Sequence, residues 1–153
     1  MRWQSVIRTT PAYYNNEKYL EILAKSINEH IACLDWKPNV ISTAFQGLPK
    51  SYLDAGDPYH CVSAQTSRLI AKELGWTGDR VRLAFQPRFG REEWLKPYIQ
   101  EVTTELPSQG IKKIAIISLG FISDCVENLE EVAIGLKESF LDAGGEKFTH
   151  FLA

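Results

Sequence analysis

Val40-Ile41-Ser42-Thr43-Ala44-Phe45-Gln46-Gly47-Leu48-Pro49 is the stretch whose reading decides the fold. Its first six residues form an apolar run without the in-out alternation of a strand that has one wet face. A short continuous run of this kind belongs to a strand covered on both sides, the situation of parallel sheets. Gly47 and Pro49 end the ladder, because proline has no amide to donate and glycine favours a turn. Two further runs repeat the pattern, Val81-Arg82-Leu83-Ala84-Phe85 and Ile114-Ala115-Ile116-Ile117-Ser118-Leu119, and Lys147–Leu152 reads as the start of a fourth strand.

Amphipathic stretches separate these strands. Tyr19, Leu20, Leu23, Ile27, Ile31 and Leu34 recur at helical spacing. Asn15 or Asn16 can cap that helix, with Glu17 in its first turn, and it should stop near Asp35 because Pro38 follows. A second helix starts at Asp57-Pro58, runs through Ala64, Leu69, Ile70 and Leu74, and stops at Gly75. Ile99, Val102 and Leu106 outline a third, closed by Pro107 and Gly110. A fourth passes through Val126, Leu129, Val132, Leu136, Phe140 and Leu141. Met1–Tyr14 has no period and reads as an extended lead-in. The order helix, strand, four times over, predicts a three-layer Rossmann-like α/β domain with a parallel sheet of about four strands. The 153 residues are expected to form a single α/β domain, 1–153.

Composition narrows the function classes. Seventeen basic and nineteen acidic residues leave a formal charge of −2, with no basic block to neutralise a nucleic-acid backbone. No apolar run approaches the length of a membrane span, and Met1–Ser5 has neither a signal core nor a cleavage site. The expected location is therefore cytoplasmic, with a peripheral contact to a membrane that supplies an apolar substrate left open. Cys33, Cys61 and Cys125 are widely spaced and form no C-x-x-C pair, so they support neither a zinc site nor a disulfide framework. Cys33 and Cys61 are expected to be buried, reduced thiols. His30, His60 and His150 have no histidine partner at helical spacing.

In a parallel sheet all carboxyl ends face one way, and ligands bind beyond them where the strand order reverses. The loops 46–57, 86–97 and 120–125 should therefore meet around one cleft. They bring Gln46, Tyr52, Asp54 and Asp57; Gln86, Arg88, Phe89, Arg91 and Trp94; and Ser123 and Asp124, leading into Glu127. Aromatic side chains with a few carboxylates suit a flat apolar ligand with charged edges. Read from pattern alone, Asp124 and Glu127 also fit a helix N-cap and its reciprocal partner, and Arg88 and Arg91 fit solvated loop charge.

Three segments resemble ferrochelatase, the family that inserts ferrous iron into protoporphyrin. They are Phe45-Gln46-Gly47-Leu48-Pro49 with Gly56-Asp57-Pro58-Tyr59; Phe85-Gln86-Pro87-Arg88-Phe89-Gly90-Arg91-Glu92-Glu93-Trp94-Leu95; and Gly120-Phe121-Ile122-Ser123-Asp124-Cys125-Val126-Glu127. The resemblance implies that Glu127 is a metal ligand or proton acceptor with Asp124 beside it. It also places Gln46 where the family has its catalytic, metal-facing histidine. It implies substrate contacts from Tyr52, Gln86, Arg88, Phe89, Arg91 and Trp94, the arginines meeting propionates through their guanidinium forks.

The implied substrates are protoporphyrin IX and ferrous iron (Fe2+), the implied product is protohaem, and the implied class is a lyase of haem biosynthesis. No tightly bound cofactor is expected, and three scattered cysteines do not resemble an iron–sulfur ligand set. The resemblance covers the second half of a ferrochelatase, so the first domain and the closing C-terminal helix are expected to lack counterparts here. Self-association or a first-domain partner would then cover the exposed surface. The alternative of the same fold is a non-catalytic porphyrin- or haem-binding module. A Rossmann nucleotide binder has the architecture in its favour but no G-x-G-x-x-G after any strand.

Overall fold

The computed structural model describes residues 6–86, 90–121, 123, 125–126 and 128–152. Its strands are β1 (Val40–Phe45), β2 (Val81–Phe85), β3 (Lys113–Ser118) and β4 (Lys147–Leu152). All pairings are parallel and the spatial order is β2-β1-β3-β4. β1 lies inside the sheet, with Phe45 opposite Phe85 and Ala44 opposite Ser118. All six of its residues are buried, which is why its sequence shows no alternation.

The helices are α1 (Glu17–Ala32), α2 (Lys50–Asp54), α3 (Tyr59–Glu73), α4 (Ile99–Glu105) and α5 (Lys137–Asp142), with a π-helical segment Asn128–Leu136 leading into α5. The chain steps from β1 to β2 in one direction, then crosses back over β1 to reach β3 and β4. Right-handed crossovers in opposite directions put their helices on opposite faces. Accordingly, one core joins α1 and α3 to the sheet through Leu23, Ile27, Ile41, Ile70, Phe85 and Ile117. The other joins α4, the π segment and α5 through Ala44, Ile99, Ile116, Val132, Leu136 and Phe140. Burying each large aliphatic side chain contributes about 1.5–3 kcal/mol. The expected three-layer Rossmann-like arrangement is present.

Local signals act as the sequence suggests. Asn16 caps α1 and accepts a bond from the Tyr19 amide at 3.2 Å. The Asp57 carboxylate accepts from the Tyr59 amide at 2.8 Å at the start of α3, and Gly75, at φ 65°, follows its end.

Four expectations need correction. α1 stops at Ala32, before Asp35, where the Cys33 amide folds back onto the carbonyls of Glu29 and His30. The loop after β1 contains the short helix α2, begun after Pro49 and closed by the Lys50–Asp54 ion pair one turn apart. The helix predicted through Val126–Leu141 is a π-helical segment followed by α5. Asn128, Val132, Leu136 and Phe140 are buried at four-residue intervals, whereas Val126, Leu129 and Leu141 are exposed. Finally, Cys33 and Cys61 are exposed thiols. Cys33 lies beyond the end of α1, and Cys61 lies in the first turn of α3, whose buried positions are Ser63, Thr66, Ser67, Ile70 and Ala71.

Candidate active site

The strand order reverses between β1 and β3, so the carboxyl ends of those strands, Phe45-Gln46 and Ser118-Leu119-Gly120, bound the switch point. The two ends are tied directly. The Leu119 amide donates to the Ala44 carbonyl at 3.0 Å, and on the other flank the Gln86 amide donates to the Phe45 carbonyl at 2.8 Å. Gly120 packs against the backbone of position 46 so closely that a Cβ there would lie 3.1 Å from the Gln46 nitrogen. Gln46 is half-buried at this edge.

A cleft of about 300 Å³ opens here. Phe45, Leu119 and Gly120 form its floor, and Tyr13, Tyr14, Tyr19 and Tyr59 supply aromatic walls from the lead-in, α1 and α3. Tyr13 and Tyr19 meet edge to face at 5.2 Å. Burial is the main reason the Tyr59 hydroxyl titrates above its ordinary range, against the opposing pull of hydrogen bonds to Ser63 and the Gln46 backbone. Burial, reinforced by neighbouring Tyr13, also pushes Tyr19 up. Both hydroxyls are thus neutral near neutral pH. Among the described residues no lysine, arginine, aspartate or glutamate lines it. Chemically, the described lining is flat-walled and without charged side chains, with tyrosine hydroxyls as donors, and it suits an aromatic ring face.

The loops after β1 and β2 come together as expected, but as a stitched lip. The Lys50 amide bonds to the Glu93 carbonyl and the Leu95 amide to the Leu48 carbonyl, each at 2.8 Å, with Pro49 opposite Trp94 between them. Trp94 is half-buried within this lip. Its backbone amide and carbonyl both meet the Tyr98 hydroxyl at 3.3 Å, and its ring covers Gly47. Tyr52 points outward from α2, 54% exposed. Arg91 stands exposed beside a polar hollow that also holds Glu93, Lys96 and Glu101. His60 stacks on Phe85 at 5.4 Å and bonds to the Lys96 carbonyl.

Gln86 is buried, 3% exposed, with its side-chain amide donating to Asn128 Oδ1 at 2.7 Å. Glu127, Asp124, Arg88 and Phe89 lie outside the described residues. Of the expected site residues that are described, the structure puts Gln46 beside the cleft, its backbone against Gly120 but its side chain not among the lining residues, puts Trp94 in the lip, and leaves Tyr52 and Arg91 at the surface.

The tyrosine walls were missed in the sequence. Tyr13-Tyr14 falls in a stretch without period, so nothing marked it as packed. Tyr59 directly follows Gly56-Asp57-Pro58 and could have been found from its place in that motif. Among the described residues no helix is long and apolar enough to cross a membrane, and no cluster of three metal-ligating side chains is present.

A family model described as Ferrochelatase matches residues 1–153. A ferrochelatase of Rhizobium meliloti is 50% identical over 150 residues, and one of Allorhizobium ampelinum is 49% identical over 150. In both comparisons the match covers 98% of this chain and 44% of the relative. A ferrochelatase of Brucella ovis is 44% identical over 149 residues, covering 97% of this chain and 42% of its own length. The chain therefore spans less than half the length of these curated relatives, and the matched stretch is their C-terminal part.

Proposed function

Because the chain belongs to the ferrochelatase family, we propose that its aromatic cleft takes one side of the protoporphyrin IX macrocycle, and that the protein of which this domain is the counterpart inserts ferrous iron there to give protohaem. The observation that carries the reading is the position of the cleft. Uncharged tyrosine walls stand at the reversal point of a parallel sheet, with position 46 at their edge. At about 300 Å³ the cleft is at the lower end for small-molecule sites. It would cover one side of a macrocycle and leave the other to a further domain or partner.

Metal insertion requires the two pyrrole N–H protons to leave as the cation enters. A base within hydrogen-bond reach must take them, and a carboxylate can receive the proton or hold the metal. Carried over by motif, Glu127 is that carboxylate, with Asp124 its neighbour, and Arg88, Phe89 and Arg91 are contacts for the porphyrin edge. Position 46 would meet the ring from the cleft edge, opposite that carboxylate. An imidazole there could act as base or ligand, whereas the Gln46 amide can hydrogen-bond but is neither a useful base nor a strong ligand for ferrous iron. This favours a second reading, a porphyrin-binding domain with severely reduced insertion. Fe2+ enters both readings as substrate, no resident cofactor is invoked, and a cytoplasmic setting belongs to the same proposal.

Equilibrium titration of protoporphyrin IX, followed by its fluorescence, tests the binding claim. The unaltered chain should bind saturably with one macrocycle per chain, and Tyr59→Ala should weaken binding several-fold. Affinity that is absent from the unaltered chain, or unchanged in Tyr59→Ala, would remove the cleft from consideration.

A further inference from the structure

Asn128 is fully buried, 0% exposed, at the first position of the π-helical segment. Its Oδ1 accepts from Gln86 Nε2 at 2.7 Å and from Ser118 Oγ at 3.3 Å. Gln86 is the residue after β2 and Ser118 the last of β3, and these two strands flank β1 on either side. One side-chain oxygen thus spans the carboxyl end of β1 at the point where the chain turns out into Gln46.

Ser118 has a single proton. Donating it to Asn128 makes Ser118 the acceptor toward His150 Nε2, 2.9 Å away, so the chain of bonds continues to β4. Asn128 Nδ2 has no hydrogen-bond partner among the described residues.

An amide is a costly occupant of a buried position wherever one of its donors goes unpaired. A leucine would fill the space without that cost but could not choose a unique seating for the helical segment. Apolar contacts slide, whereas two hydrogen bonds to two different strands fix both height and rotation. Wide π-type turns recur at functional sites, and this one begins at the residue that makes the bonds. We propose that Asn128 is a positioning residue: its side-chain oxygen latches the start of the π segment to the ends of β2 and β3, and so sets where that segment stands relative to position 46 and the cleft. The functional consequence rests on the cleft being a porphyrin site; the latch itself does not.

The test uses the full chain and the variants Gln86→Met, Asn128→Leu and Asn128→Asp. Methionine at 86 keeps the length but removes the donor. Leucine at 128 removes the acceptor, and aspartate at 128 retains an acceptor oxygen in either protonation state. Amide hydrogen exchange should quicken selectively over residues 128–142 in Gln86→Met and Asn128→Leu, with β1 and β3 little changed, and Asn128→Asp should restore protection. Protoporphyrin affinity should fall about tenfold in the same two variants, the low end for removing a group that orients a site, and should recover in Asn128→Asp.

Exchange that rises evenly through the chain would overturn the latch, and Gln86→Met decides the matter if Asn128→Leu fails to fold. Selective exchange with unchanged affinity would overturn the positioning role. An unaltered chain that binds no protoporphyrin would overturn the porphyrin reading and the positioning role with it, and the exchange pattern would then judge the latch alone.

Discussion

Gly47 offers the sharpest test of how the site edge is built. A Cβ at this position would lie 2.6 Å from the Gln86 carbonyl oxygen and 3.0 Å from Trp94 Cε3. The first distance is too short for any real contact, and the atom met is backbone. Gln86 cannot yield cheaply, because its amide is bonded to Phe45 at 2.8 Å and its side chain to Asn128 at 2.7 Å. Gly47→Ala must therefore push the two loops of the lip apart. Overpacking of this kind costs about 2 kcal/mol, which in a domain of this size lowers the thermal midpoint by about 4–8 °C.

Gly135 supplies the opposite case. A Cβ there would sit at an ordinary 3.5 Å from the Glu130 carbonyl, so Gly135→Ala should be neutral or stabilise by up to about 1 kcal/mol through the helical preference of alanine. Thermal and urea unfolding of both variants measure the difference. If Gly47→Ala unfolds within 1 °C of the unaltered chain, the close approach of the two loops is not a constraint and the account of the lip fails.

Two further outcomes are expected. Burial holds the His30 imidazole below its ordinary pKa of 6.5, so the unfolded chain binds the proton more readily than the folded one. The stability from this group is complete above about pH 6.5 and is lost as the pH falls below that value toward the lower folded pKa. The urea midpoint of His30→Gln should accordingly depend less on pH between about 7 and 5 than that of the unaltered chain, and parallel curves would contradict it. Cys33 and Cys61 are exposed and Cys125 is half-buried, so a thiol reagent should modify the first two before the third in the native protein. Mass spectrometry of a partial reaction reads the order, and early labelling confined to Cys125 would refute it.

The fold was legible because its strands are buried on both faces and its helices are not. Val40–Phe45 and the run ending at Ser118 carry no alternation, and that absence is what a parallel, doubly covered sheet imprints on a sequence. Asn16, Gly75 and Gly110 punctuate the helices where capping chemistry requires.

The site was legible in part. The strand ends gave the switch point and Gln46, because topology alone places them. The tyrosine walls come from Tyr13, Tyr14, Tyr19 and Tyr59, which converge from a lead-in and two helices, and no local pattern encodes such convergence. Gln86 was expected as a ligand contact, yet its amide faces inward to Asn128, since the first residue past an interior edge can turn to either face. The π turn was unreadable because a four-residue spacing of buried positions fits a continuous α-helix equally well.

Zinc insertion into protoporphyrin, followed by fluorescence in the unaltered chain and in Gln46→His under identical conditions, tests the central claim most directly. Saturable porphyrin binding is expected of both, with insertion by the unaltered chain severely reduced and turnover raised by the imidazole at position 46. Insertion by the unaltered chain at a rate matching Gln46→His would contradict it, since the amide at the cleft edge would then be no obstacle to removing the pyrrole protons.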